Sequence, residues 1–121
     1  MEVNNHVKYR CYEFSVAVVD LLEKLPHNYI YQTLGKQLLR AATSVGANVV
    51  EAQAGSSRKD FINYYHIALK SCNETRYWLA IILKKQSDIS LKNYINNLIK
   101  ESTEIGRILG ASLVTLKNIK K

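Results

Sequence analysis

The stretch TLGKQLLRAATSVGANVVEAQA, Thr33 to Ala54, carries only three charged side chains, Lys36, Arg40 and Glu51. At the helical spacing of about 100° per residue, Tyr31, Leu34, Leu38, Ala41, Ala42, Val45, Val49 and Ala52 share one broad apolar face. The opposite side presents Leu39, Thr43, Gly46, Ala47, Val50 and Ala54 where a solvated polar face would stand on a monomer's surface helix. A chain this short has too few elements to enclose a helix all round. The pattern therefore predicts a subunit interface on Leu39, Thr43, Gly46, Ala47 and Val50, with the small residues admitting a neighbouring backbone.

Arg40, Ser44, Asn48 and Glu51 recur along the edge of that apolar face. Residues three and four apart are neighbours on a helix, so they form one polar stripe. A catalytic cluster with Glu51 as its acid is one use of such a stripe. No His or second carboxylate accompanies it on this helix, which favours a structural network joined by Glu74 of the next helix.

Ala54-Gly55-Ser56-Ser57 joins this helix, 29–54, to the next, 58–85. Ser57 is placed to accept from the amide of Asp60, and Asp60 suits the positive helix end and can reach back. Phe61, Tyr64, Tyr65, Ala68, Leu69, Cys72, Thr75, Leu79, Ile82 and Leu83 fall inward. The far side carries His66, Lys70, Asn73, Tyr77 and Lys84, followed by Lys85. Cations interleaved with an aromatic can track a phosphate backbone and stack a base. The competing use is an ordinary solvated face. The row gains weight from the net charge of +7, because basic chains attract nucleic acid.

Outward from this pair, a first helix is predicted over 7–25, its stripe Cys11, Phe14, Val18, Leu21, Leu22 and Leu25, stopped by Pro26. Asn28 is a suitable N-cap for the second helix. A fourth helix is predicted over 91–118 with Ser90 as its cap. Leu91, Ile95, Leu98, Ser102, Ile105, Leu109, Leu113 and Leu116 face inward. Gly106 and Gly110 inside it cost about 1 kcal/mol each relative to Ala and point to a close helix crossing. Residues 117–121 form a basic, fraying tail. Four helices with short connections make an all-α, antiparallel up-down-up-down bundle, a single domain over 1–121.

Several chemistries are disfavoured. Di-metal bundles need Glu-x-x-His steps, and Glu51, Glu74 and Glu101 are followed instead by Ala54, Tyr77 and Glu104. Cys11 and Cys72 are two thiols on apolar faces, expected free and buried. Neither a phosphate loop nor a nucleophile elbow is present. No catalytic residue, metal or cofactor is expected, and the chain is expected not to be an enzyme. The apolar runs are too short to span a membrane, and the first residues lack the pattern of a secretion signal, which makes the cytoplasm the expected location.

The segment Arg40-Ala41-Ala42-Thr43-Ser44-Val45-Gly46-Ala47-Asn48-Val49-Val50-Glu51, with Ser57-Arg58-Lys59-Asp60-Phe61 and the spacing Ala68, Ser71, Glu74, resembles a known family. These are the four-helix bundle proteins encoded in intervening sequences of bacterial 23S ribosomal RNA genes, sometimes labelled S23 ribosomal proteins. The chain is also similar to accessory proteins of diversity-generating retroelements, which partner a reverse transcriptase and bind nucleic acid. The resemblance covers nearly the whole chain and is most specific from Leu38 to Leu79. It implies a homopentameric barrel of bundles, no enzymatic activity, and RNA, DNA or a protein such as a reverse transcriptase as partner. Ala52 stands where a Gly usually follows the motif glutamate, and Phe14 lies near the place of a frequent Trp. Family fold transfers more safely than family function.

Overall fold

The computed structural model describes residues 5–55 and 57–118. The leader 1–4, Ser56 in the central joint and the last residues of the basic tail, 119–121, lie outside the described residues. Four helices make up the described fold: α1 (Asn5–Lys24), α2 (Tyr29–Ala54), α3 (Arg58–Lys84) and α4 (Ile89–Asn118).

Local chemistry sets most boundaries. Leu25 precedes Pro26, which disfavours helical geometry at the preceding residue, and α1 stops at Lys24. The Asn28 side chain accepts from the Tyr31 amide at 3.0 Å and starts α2 at its expected residue. Ser57 does the same for α3, accepting from Asp60 at 3.0 Å. The start of α4 differs from expectation. Asp88, not Ser90, is the cap: its carboxylate accepts from the Leu91 amide at 2.9 Å, and Ser90 lies inside the first turn. A carboxylate caps the positive helix end as well as a hydroxyl does and adds a favourable charge, so the earlier residue wins.

Each helix packs on two others in a closed ring, α1 against α2, α2 against α3, α3 against α4, and α4 back against α1. Paired positions run in opposite directions. Tyr31 meets Gln86 and Ser44 meets Ser71 across α2 and α3, while Arg10 meets Glu101 and Tyr94 meets Ala17 across α1 and α4. This is the antiparallel bundle.

The core is built from the inward stripes, with Val18, Leu21, Leu38, Val49, Tyr65, Leu79, Ile95, Ile105 and Leu109 fully enclosed. The buried Thr75 hydroxyl donates to the Ser71 carbonyl at 2.7 Å. Cys72 donates to the Ser102 carbonyl at 3.0 Å, stitching α3 to α4. Close approach occurs at Gly106, where a Cβ would lie 3.3 Å from Arg76 Nη1 and 3.5 Å from Cys72 Sγ. Gly110 marks no crossing, because nothing lies within 4 Å of a Cβ there. The two glycines are one turn apart, but the α3 surface is in reach of only the first.

Candidate nucleic-acid interface and assembly face

The polar stripe on α2 meets α3. The Arg40 guanidinium pairs with the Glu74 carboxylate, and the Trp78 indole donates to the same oxygen at 3.1 Å. One turn on, Ser44 and Ser71 share a 2.9 Å hydrogen bond. Asn48 donates to the Ser44 carbonyl at 2.8 Å and to its hydroxyl at 3.0 Å. The Trp78 N–H, opposed by partial burial and joined by Arg40, holds the Glu74 carboxyl below the usual carboxylate range. Arg40 with Glu74, and Ser44 with Asn48, thus form two hydrogen-bonded groups one turn apart along the α2–α3 seam. Glu51 joins neither: it is exposed, about 16 Å along α2 from Arg40 at about 1.5 Å per residue. The register that sets Ser44 beside Ser71 brings Glu51 level with Tyr64 and Ile67, and neither offers a charge. Glu51 and Glu74 therefore form no convergent acid–base pair.

On α3 the outward row is arranged as its periodicity requires. Lys70, Asn73, Tyr77, Lys84 and Lys85 are exposed and His66 is half-buried. Tyr77 is 62% exposed and packs its ring edge-on to Trp78, with centroids 5.2 Å apart. Asn73 is engaged by Arg76, which reaches across to the Ser102 carbonyl at 3.2 Å.

The row has neighbours that periodicity on α3 alone does not reveal. Antiparallel packing through Cys72 and Ser102 carries Lys92 to the level of Lys84 and Lys85, and Lys117 to the level of Lys59. Lys100 and Arg107 are exposed on α4 between these ends. The carboxylates near this surface are already engaged: Glu101 takes the Arg10 guanidinium through two bonds of 2.9 and 2.8 Å, Glu104 pairs with Arg107, and Glu74 with Arg40. Among the described residues no ion pair involves a lysine. The α3–α4 side is accordingly a surface of net positive charge.

The α1–α2 side is of the opposite kind. Tyr9 and Tyr12 are 64% and 65% exposed, and Val16, Val19, Leu39 and Val50 are exposed beside them. Between the helices runs an apolar groove of about 530 Å³, with Tyr9 and Tyr12 on one wall and Thr43, Ala47 and Val50 on the other. A second, separate groove lies farther along the same two helices, between Leu22, Pro26 and His27 on one side and Gly35 and Leu39 on the other. The expected interface residues Leu39, Thr43, Ala47 and Val50 stand on this surface. Gly46 lies at its floor and faces α1 of its own chain, since a Cβ there would lie 3.1 Å from Cys11 Cβ. The contribution of Tyr9, Tyr12, Val16 and Val19 has a sequence signal, a second apolar strip at spacings of three, four and three opposite the core stripe.

Both cysteines are free and buried. Burial pushes the Cys11 thiol up to about 12, which keeps it protonated and unreactive. No group of His, Cys, Asp and Glu among the described residues is placed to hold a metal ion. No described helix is long and apolar enough to cross a membrane.

A family model described as 23S rRNA-intervening sequence protein matches residues 4–111. Among solved structures, the chain is similar to a protein with unknown function from the S23 ribosomal protein family of Bacteroides thetaiotaomicron. The two are 35% identical, the match covers 88% of this chain and 97% of that one, and the TM-score is 0.78. No curated protein matches the chain.

Proposed function

We propose that this chain, which belongs to the 23S rRNA-intervening sequence protein family, is a non-enzymatic homo-oligomer that binds nucleic acid through its basic outer surface. The observation that carries this reading is the division of the bundle into two unlike sides. Self-association through the α1–α2 side covers Tyr9, Tyr12, Leu39 and Val50, which would otherwise leave a contiguous apolar surface in water. It leaves the α3–α4 side outermost, with Lys70 and Lys84 free to meet phosphate, while Lys85 sits beside the start of α2. Five copies is the number the family resemblance implies, and the apolar grooves favour the α1–α2 face for the contact. A cytoplasmic location accords with free, buried thiols.

Binding driven by lysines and phosphates has a defined signature. Affinity for a labelled RNA or DNA falls linearly with salt on logarithmic axes, by about 0.9 in slope for each phosphate neutralised on a duplex. Binding that ignores salt, or no binding at low salt, contradicts the reading.

The apolar groove also supports a second reading, a scaffold or accessory subunit whose ligand is another protein, such as a reverse transcriptase. It predicts a stoichiometric protein complex in which Tyr12 and Val50 are covered, and no affinity for nucleic acid in the isolated chain.

A further inference from the structure

The α3–α4 side also bears on the form of nucleic acid it fits, a question that rests on the nucleic-acid reading above. We infer that this face is a phosphate-backbone track for double-stranded nucleic acid, recognised by charge and shape without regard to base sequence.

Three observations carry the inference. First, the cations extend over the full length of the face. Lys59 and Lys117 stand at one end, Lys70 and Lys100 lie between, and Lys84 and Lys92 stand at the other. Helix α3 has 27 residues, which at about 1.5 Å each spans about 40 Å. That is the length of about 12 base pairs at 3.4 Å each. Second, the support is straight and rigid. Two long antiparallel helices are locked together by Cys72, Ser102 and Arg76, so the cations cannot follow a strand that bends and turns. Third, the face is poor in stacking platforms. Among the described residues the exposed tyrosines are Tyr9, Tyr12, Tyr29 and Tyr77, and only Tyr77 lies on this side.

The energetics then select between the two forms. Single-strand binders gain about 1–3 kcal/mol from each base stacked on an aromatic ring. A surface with one such ring depends on counterion release instead. A duplex carries one charge per about 1.7 Å of axis and releases more counterions per contact than a single strand, with slopes of about 0.9 against 0.7. Lysine ammonium groups are point charges without the planar fork that reads guanine, so they position a duplex without reading it. The face stays net positive because its acids are fewer than its lysines: Glu104 is paired with Arg107, and Asp88, the cap of α4, offsets charge only at its own end. Asp60 beside Lys59 reduces the positive field locally.

The test is a set of anisotropy titrations of the whole protein at several salt concentrations. The probes are a duplex of about 24 base pairs, its single strand, a shuffled duplex, and duplexes shortened through about 12 base pairs. The inference predicts duplex binding about tenfold tighter than single-strand binding, no change on shuffling, and a sharp loss below about 12 base pairs. The triple variant Lys70→Gln, Lys84→Gln, Lys100→Gln is expected to lower the salt slope by about 2 to 3. All three positions are exposed, and circular dichroism melting checks that the fold is kept. Single-strand binding equal to or tighter than duplex binding, or a strong effect of shuffling, overturns the inference and leaves the nucleic-acid reading standing. Absence of binding to every probe overturns both.

Discussion

Arg40 on α2 and Glu74 on α3 are ion-paired, and the carboxylate oxygen that takes the guanidinium also accepts the indole N–H of Trp78. The arrangement clamps the two helices near the middle of their contact. Both neighbours favour the ionised carboxylate, so Glu74 is held charged at the seam between the helices.

Replacing Glu74 with Gln is expected to lower stability by about 0.5–1 kcal/mol at neutral pH, since the pair is partly exposed and screened. The folded-state pKa of Glu74 lies below its unfolded value, so its contribution is complete at neutral pH and is lost as pH falls through the folded value. Melting curves of the wild type and Glu74→Gln should therefore converge in acid. A gap that persists unchanged below the carboxylate range would show that the lost stability has another source.

Gly46 and Gly110 make opposite predictions. A side chain at Gly46 meets Cys11 at 3.1 Å in the middle of the α1–α2 packing, so Gly46→Leu forces the helices apart. A loss of about 1–3 kcal/mol is expected. Nothing lies within 4 Å of a Cβ at Gly110, and Gly110→Ala should gain about 1 kcal/mol from helix propensity alone. Urea unfolding of both variants measures the contrast, and destabilisation by Gly110→Ala would contradict it.

These two glycines also mark how far the sequence could be read. Helix α2 matches its expected bounds because Asn28 is a local signal, needing nothing from the rest of the chain. The start of α4 was less legible, since Ser87-Asp88-Ile89-Ser90 offers more than one capping side chain. The apolar outer face of α2 is visible in a run almost free of charge. Which flank of that face turns toward α1 is a tertiary matter, and it places Gly46 at an internal contact. The same limit applies to the basic side. Periodicity assembles Lys70, Tyr77 and Lys84 on one helix, but only the register between α3 and α4 adds Lys92, Lys100 and Lys117. Glu51 shares the stripe with Arg40 by spacing alone, because α3 offers it no cation at that level.

The thiols give a probe of global stability. Cys11 and Cys72 are 1% exposed, and Cys11 stays protonated far above neutral pH. Alkylation near pH 8 should be slow for both and should track unfolding, because the thiolate is the reacting form. Rapid labelling of the native protein would mean that the core opens locally between α1 and α3.

Self-association through the α1–α2 side is the claim on which the functional account turns. Val50 is 48% exposed, so Val50→Glu burdens that surface without entering the core. The decisive measurement is light scattering coupled to size exclusion on the wild type and this variant. The account predicts a wild type about five times the 13.8 kDa chain and a folded Val50→Glu variant that runs as a single chain. A wild type of 13.8 kDa would contradict it.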